Sequence, residues 1–279
     1  MPSANPIALG LRARLIGVVR TTFNDQARGE KPVQRSGHAL FPRESVTWRV
    51  HGDVTTMMVG GVASLLLQML HPAVLAGVWD HSAFRTDMLG RLRRTARFIA
   101  ETTYADRDIA EAAIARVRAV HERVGGTLPD GTPYRADDPA LLAWVHVTEM
   151  WSFLAAWQRY GRPITRPEED IYYAETARIA EALGADPIPR SKGEADALIA
   201  TMRPQLLVDE RTREVARFVL NQRPPSMAVA PAQAAIFAAA VDLLPEWARA
   251  MHGFKRPPAV PLVRGSTLAI AKTFRWAFG

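Results

Sequence analysis

The chain has 279 residues, 48% hydrophobic and 23% charged, with a formal net charge of +7 and no cysteine. This is the composition of a folded globular protein and excludes an intrinsically disordered one, while the missing cysteine excludes disulfides, thiolate metal sites and cysteine nucleophiles. The 35 Lys and Arg spread along the whole length without a nucleic-acid-binding motif, so no nucleic-acid partner is expected. An anionic small molecule or membrane surface accounts for the excess equally well.

The length allows one large core and no internal repeat divides it, so residues 1–279 read as a single domain. At the start, Arg12 and Arg14 interrupt the apolar run that a secretory signal needs, and a cytoplasmic protein is expected. From Val54 to Trp79 no Asp, Glu, Lys or Arg appears. Gln68, His71, Pro72 and paired glycines make this a buried core helix that breaks near Pro72 rather than a bilayer span. His71, before that proline, reads either as a histidine capping local backbone groups or as a pocket-lining group.

Ser82 or Thr86 can cap a helix running to about Thr103, and Asp106 the next to about Val124. "GGTLPDGTPYRADD" is then a turn-rich loop in which "TPYRA" can supply a short extended piece. Helices are expected over Pro139 to Tyr160, after Pro167, and across 193–203, 209–222 and 231–252. The fold class is all-α, a multi-helix bundle.

Two stretches, "RLRRTARF" and "VRAVHERVGG", carry the chemistry. If the turn between their helices is centred near Asp106, an antiparallel hairpin sets Arg91 and His121 at one height, with Arg94, Thr95 and Arg118 beside them. A neutral imidazole between helices is a common ligand for haem iron, and arginines suit the propionates. The same spacing is met by an interface histidine beside a solvated basic face, and spacing alone leaves both open.

The run "WRVHGD", "LLLQMLHPAVLAGVWDHSAFR", "GRLRRTARF", "VRAVHERVGGTLPDGTPYRADDPALLAWVHVTEMWSFLAAW" and "EEDIYYAE", over roughly residues 45–185, resembles the family of MpaB-type oxygenases and latex-clearing proteins, the rubber oxygenases. The resemblance implies an all-α fold with a pocket between helices for one non-covalent haem b. Its Arg-x-x-His matches Arg118 and His121, which makes His121 the implied proximal iron ligand. Its arginine and threonine on the preceding helix match Arg91 and Thr95, implied to line the haem pocket, and Arg94 stands where the rubber-cleaving branch has a lysine. Arg91, Arg94 and Thr95 are thereby the candidate catalytic residues. That branch's pocket glutamate has no aligned counterpart, Asp80 being the nearest acid.

His146, in "WVHVTEMW", reads as a core histidine or as a propionate partner in the pocket wall. "EEDIYYAE" reads as a solvated helix start with acids near its N-terminus. The ending, with Arg264, Lys272 and Arg275 among Leu268, Phe274, Trp276 and Phe278, either packs back onto the bundle or makes peripheral contact with an anionic membrane. No G-x-S-x-G, H-E-x-x-H or phosphate-binding glycine loop occurs. The expected function is a haem b-dependent oxygenase acting with O2 on a hydrophobic, alkene- or isoprenoid-like small molecule; the rival is a non-enzymatic haem- or lipid-binding helical protein.

Overall fold

The computed structural model describes residues 6–24, 29–224, 226–257 and 259–278. Its elements are α1 (Pro6–Phe23), α2 (Val46–His51), α3 (Val54–Gln68), α4 (Pro72–His81), α5 (Met88–Tyr104) and α6 (Arg107–His121), then β1 (Gly125–Thr127) and β2 (Pro133–Arg135). They continue as α7 (Pro139–Tyr160), α8 (Arg166–Leu183), α9 (Lys192–Met202), α10 (Glu210–Leu220), α11 (Ala230–Leu243), α12 (Glu246–His252) and α13 (Val260–Phe278). The fold is all-α.

The apolar helix α3 forms the centre because no charged side chain on it needs water, and its start is fixed by Asp53, whose carboxylate accepts from the Thr56 N–H. It lies along α7, with α2, α11 and α13 around it. A Cβ at Gly60 would stand 2.8 Å from Phe153 Cδ1 and 2.9 Å from the Ser152 carbonyl oxygen, so glycine lets these two backbones approach. On one side Val59, Ala63, Leu66 and Leu67 pack with Ala239 and Leu243 of α11. On the other, Val50, Trp144, Val147, Phe153, Tyr172 and Tyr173 join α2, α7 and α8.

The apolar run breaks where Pro72 predicts, α3 and α4 being bent by 104°. Among the described residues no single helix is long and apolar enough to cross a membrane. Elsewhere the boundaries differ from the sequence reading, each for a local reason. Asp87, rather than Ser82 or Thr86, caps α5, since both hydroxyls bond back to the Val78 and Ala83 carbonyls. Helix α6 ends at His121, short of Val124, because Gly125–Thr127 pairs with Pro133–Arg135, the expected extended piece. The stretch 231–252 is two helices, as Pro245 holds Leu244 at ψ 140°. Helix α2 is an addition, organised from outside: Glu175 of α8 accepts from the Thr47 N–H (2.8 Å) and hydroxyl (2.7 Å). "EEDIYYAE" is thus a helix start, with Glu168 closing a capping box on Thr165, but its tyrosines are core.

Candidate functional site

The hairpin of α5 and α6 turns at Ala105 and Asp106, with the Asp106 carboxylate accepting from the Asp108 N–H and the Ser36 hydroxyl. Buried Glu101 on α5 is gripped by Arg97 at 2.8 Å and by Arg116 of α6 at 3.0 Å. The Glu101–Arg116 pair ties the two helices together near the turn.

The five hairpin residues divide by exposure. Arg94 is exposed and ion-paired to Asp87 at 3.4 Å, and Arg118 is exposed beside Glu122 at 3.6 Å. Thr95 is exposed, its hydroxyl donating to the Arg91 carbonyl at 3.3 Å. Arg91 and His121 are half-buried. Burial, with Arg94 alongside, lowers the Arg91 guanidinium below its ordinary value, and no acceptor for it occurs among the described residues. Burial likewise lowers the His121 imidazole, Asp137 acting the other way, and its buried Nδ1 has no hydrogen-bond partner.

Helix α7 brings a second unpartnered pair. Capped by Asp138 and opened by Pro139, it places His146, Glu149 and Phe153 on one face by their spacing. His146 is buried, Nε2 has no partner, and burial lowers its pKa to about 4. Glu149 lies deep in the fold yet keeps part of its surface accessible. It has no hydrogen bond or ion pair among the described residues, and burial pushes its carboxyl up to about 7.

Beside Glu149 lies a cluster built the other way. His51 Nδ1 is 2.9 Å from the Thr103 hydroxyl and Nε2 is 2.9 Å from the Tyr172 hydroxyl, which donates to Met150 sulfur at 3.3 Å. A tautomer protonated at Nε2 satisfies all three contacts. Burial alone lowers His51 to about 3, while burial first, then Tyr173, Glu149 and further neighbours, holds Tyr172 well above its ordinary value. The sequence reading missed this cluster; "WRVHGD" and "IYYAE" contain its residues, but only the packing of α2 and α8 brings them together.

His71 caps α4, its Nδ1 accepting from the Ala73 N–H (3.3 Å) and its Nε2 lying 3.3 Å from Gln205 Oε1, so both nitrogens have protein partners. Asp80 is occupied as well, accepting from the Tyr134 hydroxyl at 2.8 Å. On the opposite face of α7 Trp151 borders two clefts of about 190 and 460 Å³, neither lined by Arg91, His121 or His146.

Haem b demands an imidazole free to bond iron and cations for two propionates. His121 offers the imidazole and Arg91 one unpaired cation on the same hairpin, and His146 is a second imidazole with a free nitrogen. The described residues form no group of three or more His, Cys, Asp or Glu, but an iron held by a porphyrin needs only one such ligand. The residues fit the group.

A family model described as "ER-bound oxygenase mpaB/B'/Rubber oxygenase, catalytic domain" matches residues 48–276. The match extends the resemblance read from residues 45–185 through α9 to α13. No curated protein and no solved structure matches the chain.

Proposed function

The chain belongs to the mpaB/rubber oxygenase catalytic-domain family, and from that premise we propose that it is a haem b-dependent oxygenase that uses O2 on a hydrophobic substrate of alkene or isoprenoid type. The observation that carries the haem assignment is the buried, unpartnered Nδ1 of His121 at the end of α6, on the hairpin that also holds the unpaired Arg91. An imidazole kept neutral by burial is the protonation state that binds a metal.

In this reading His121 is the iron ligand and Arg91 the partner of a propionate. Thr95, bonded to the Arg91 carbonyl, steadies the α5 turn from which Arg91 projects. Arg94 and Arg118, both exposed and ion-paired, act at the pocket rim. His146 forms pocket wall, and Glu149 holds or releases a proton within it near neutral pH. His71 keeps its capping role at the head of α4. Bound haem b supplies the iron at which O2 is activated, and the polarity of the surrounding side chains decides its use.

The test is titration of purified protein with hemin. The expected result is a Soret band that saturates at about one haem per chain, as one axial imidazole implies. A protein colourless as purified and unresponsive to hemin would overturn the haem assignment. Oxygen consumption with candidate alkenes then separates an oxygenase from a haem carrier.

A further inference from the structure

Thirteen large apolar side chains are exposed among the described residues, and seven of them lie on two helices: Leu9, Leu11 and Val18 on α1, and Leu262, Leu268, Trp276 and Phe278 on α13. Such crowding is not the scatter of single apolar residues that any surface carries. The two helices pack against each other. Arg12 fastens them, its guanidinium 5.8 Å from the centre of the Trp276 ring and its Nε donating to the Ala277 carbonyl at 3.3 Å. Leu9, three residues before Arg12, lies on the same side of α1 as the arginine that meets Trp276.

The charges on these helices have one sign. Neither α1 nor α13 contains an Asp or Glu. Arg264 and Arg275 turn inward, to Asp242 at 2.8 Å and to Asp53 at 2.5 Å. Arg14, Arg20 and Lys272 remain exposed, and their side chains have no ion pair or hydrogen bond among the described residues. On α13 the exposed positions Leu262, Gly265, Leu268, Ala269, Lys272 and Trp276 recur at three and four residues, which makes them one stripe along the helix.

We propose that α1 and α13 form a two-helix surface that lies in the interface of an anionic lipid bilayer, with Leu9, Leu262, Leu268 and Trp276 among the acyl boundary and Arg14, Arg20 and Lys272 at the headgroups. An acid-free apolar face rimmed by unpaired cations is complementary to such a membrane, and a second copy of the chain would bring the same cations against each other. The surface is peripheral, since no single described helix is long and apolar enough to span. It is tied to the site as well: Arg93 of α5 donates to the Thr21 and Thr22 carbonyls at the end of α1, both at 2.8 Å, two residues from Arg91. The surface does not depend on the haem assignment.

The experiment is flotation of the full chain with phosphatidylcholine vesicles, with and without about one third phosphatidylglycerol, enough to give the anionic surface potential that attracts basic segments. The parent floats with the anionic vesicles and detaches as salt is raised. The double variant Leu262→Glu/Trp276→Glu binds at least about tenfold more weakly, and Arg14→Glu/Lys272→Glu loses a comparable factor on anionic vesicles. Ile171→Glu, at an exposed apolar residue on α8, leaves binding unchanged. All these positions are exposed, and unchanged circular dichroism confirms folding. A parent that stays at the bottom of the gradient, or variants that bind like it, would overturn the proposal. So would a dimer that Leu262→Glu/Trp276→Glu dissociates without any effect of vesicles.

Discussion

The polar cluster of His51, Thr103 and Tyr172 and the pair His146 and Glu149 are close enough for the Glu149 charge to act on Tyr172, yet they are built in opposite ways. Around His51 each ring nitrogen has a partner at 2.9 Å, and the tyrosine hydroxyl finds a sulfur beyond. Around His146 and Glu149 nothing is matched, and the same holds for His121 and Arg91 on the hairpin. Leaving a buried polar group without a partner costs about 1–3 kcal/mol. The matched histidine is structural, whereas under the proposed function His121 and His146 keep their open nitrogens for a ligand. Substitution should therefore separate the two kinds: the matched cluster loses stability, and the open groups lose ligand.

The largest effect is expected at His121. His121→Ala should keep its helical circular dichroism while its affinity for hemin falls roughly a hundredfold, the upper end of what is lost when even an outer partner of a metal ligand is removed. Added imidazole should restore part of the spectrum by filling the vacated space. His146→Ala and His71→Ala should alter it less, His71 because its nitrogens are already occupied by Ala73 and Gln205. If His146→Ala abolished ligation while His121→Ala bound normally, the proximal role would pass to α7.

His51→Ala sharpens the comparison from the other side. It strips partners from Thr103 and Tyr172 and opens a cavity, which should lower unfolding free energy by about 2–4 kcal/mol. For a chain of this size that is roughly 8 °C in Tm, measured on cofactor-free protein. Hemin titration of the folded variant should match the parent. A His51 variant of parental stability with weak hemin binding would reverse the two assignments.

Much of this fold was legible because its signals are local. Asp106 capping α6, Pro139 opening α7, and Pro72 breaking the apolar run are set by neighbours within a few residues. The α5 start was misplaced since Ser82, Thr86 and Asp87 all have capping side chains and only three-dimensional geometry chooses among them. The site was half legible. "RLRRTAR" names four arginines without revealing that Arg91 turns inward while Arg94 meets Asp87, a choice made by the rotation of α5 against α6. The openness of Glu149 was not legible at all, because a missing partner is a property of what α2, α5 and α8 fail to bring near it.

The smallest effect, and the most direct measure of that openness, is the pH dependence of Glu149→Gln. Burial raises the carboxyl from 4.5 to about 7, so between those values the folded chain holds a proton that the unfolded chain has released. The stabilising contribution is therefore complete below about pH 4.5 and is lost as pH rises through 7. The full shift would correspond to about 3 kcal/mol, but Glu149 keeps some accessible surface, and about 1–2 kcal/mol is the expected size. Denaturant unfolding of cofactor-free parent and Glu149→Gln should then give a variant more stable by that amount at pH 8, with the gap closing toward pH 5. His51 and His146, lowered to about 3 and about 4, act in the opposite sense, removing stability as pH falls below the ordinary histidine range. They are present in both proteins and cancel in the difference, so the gap reads the residue-149 position itself. A gap constant from pH 5 to pH 8 would mean that Glu149 is matched by a charge or donor, and the contrast between the two clusters would then rest on His121, His146 and Arg91 alone.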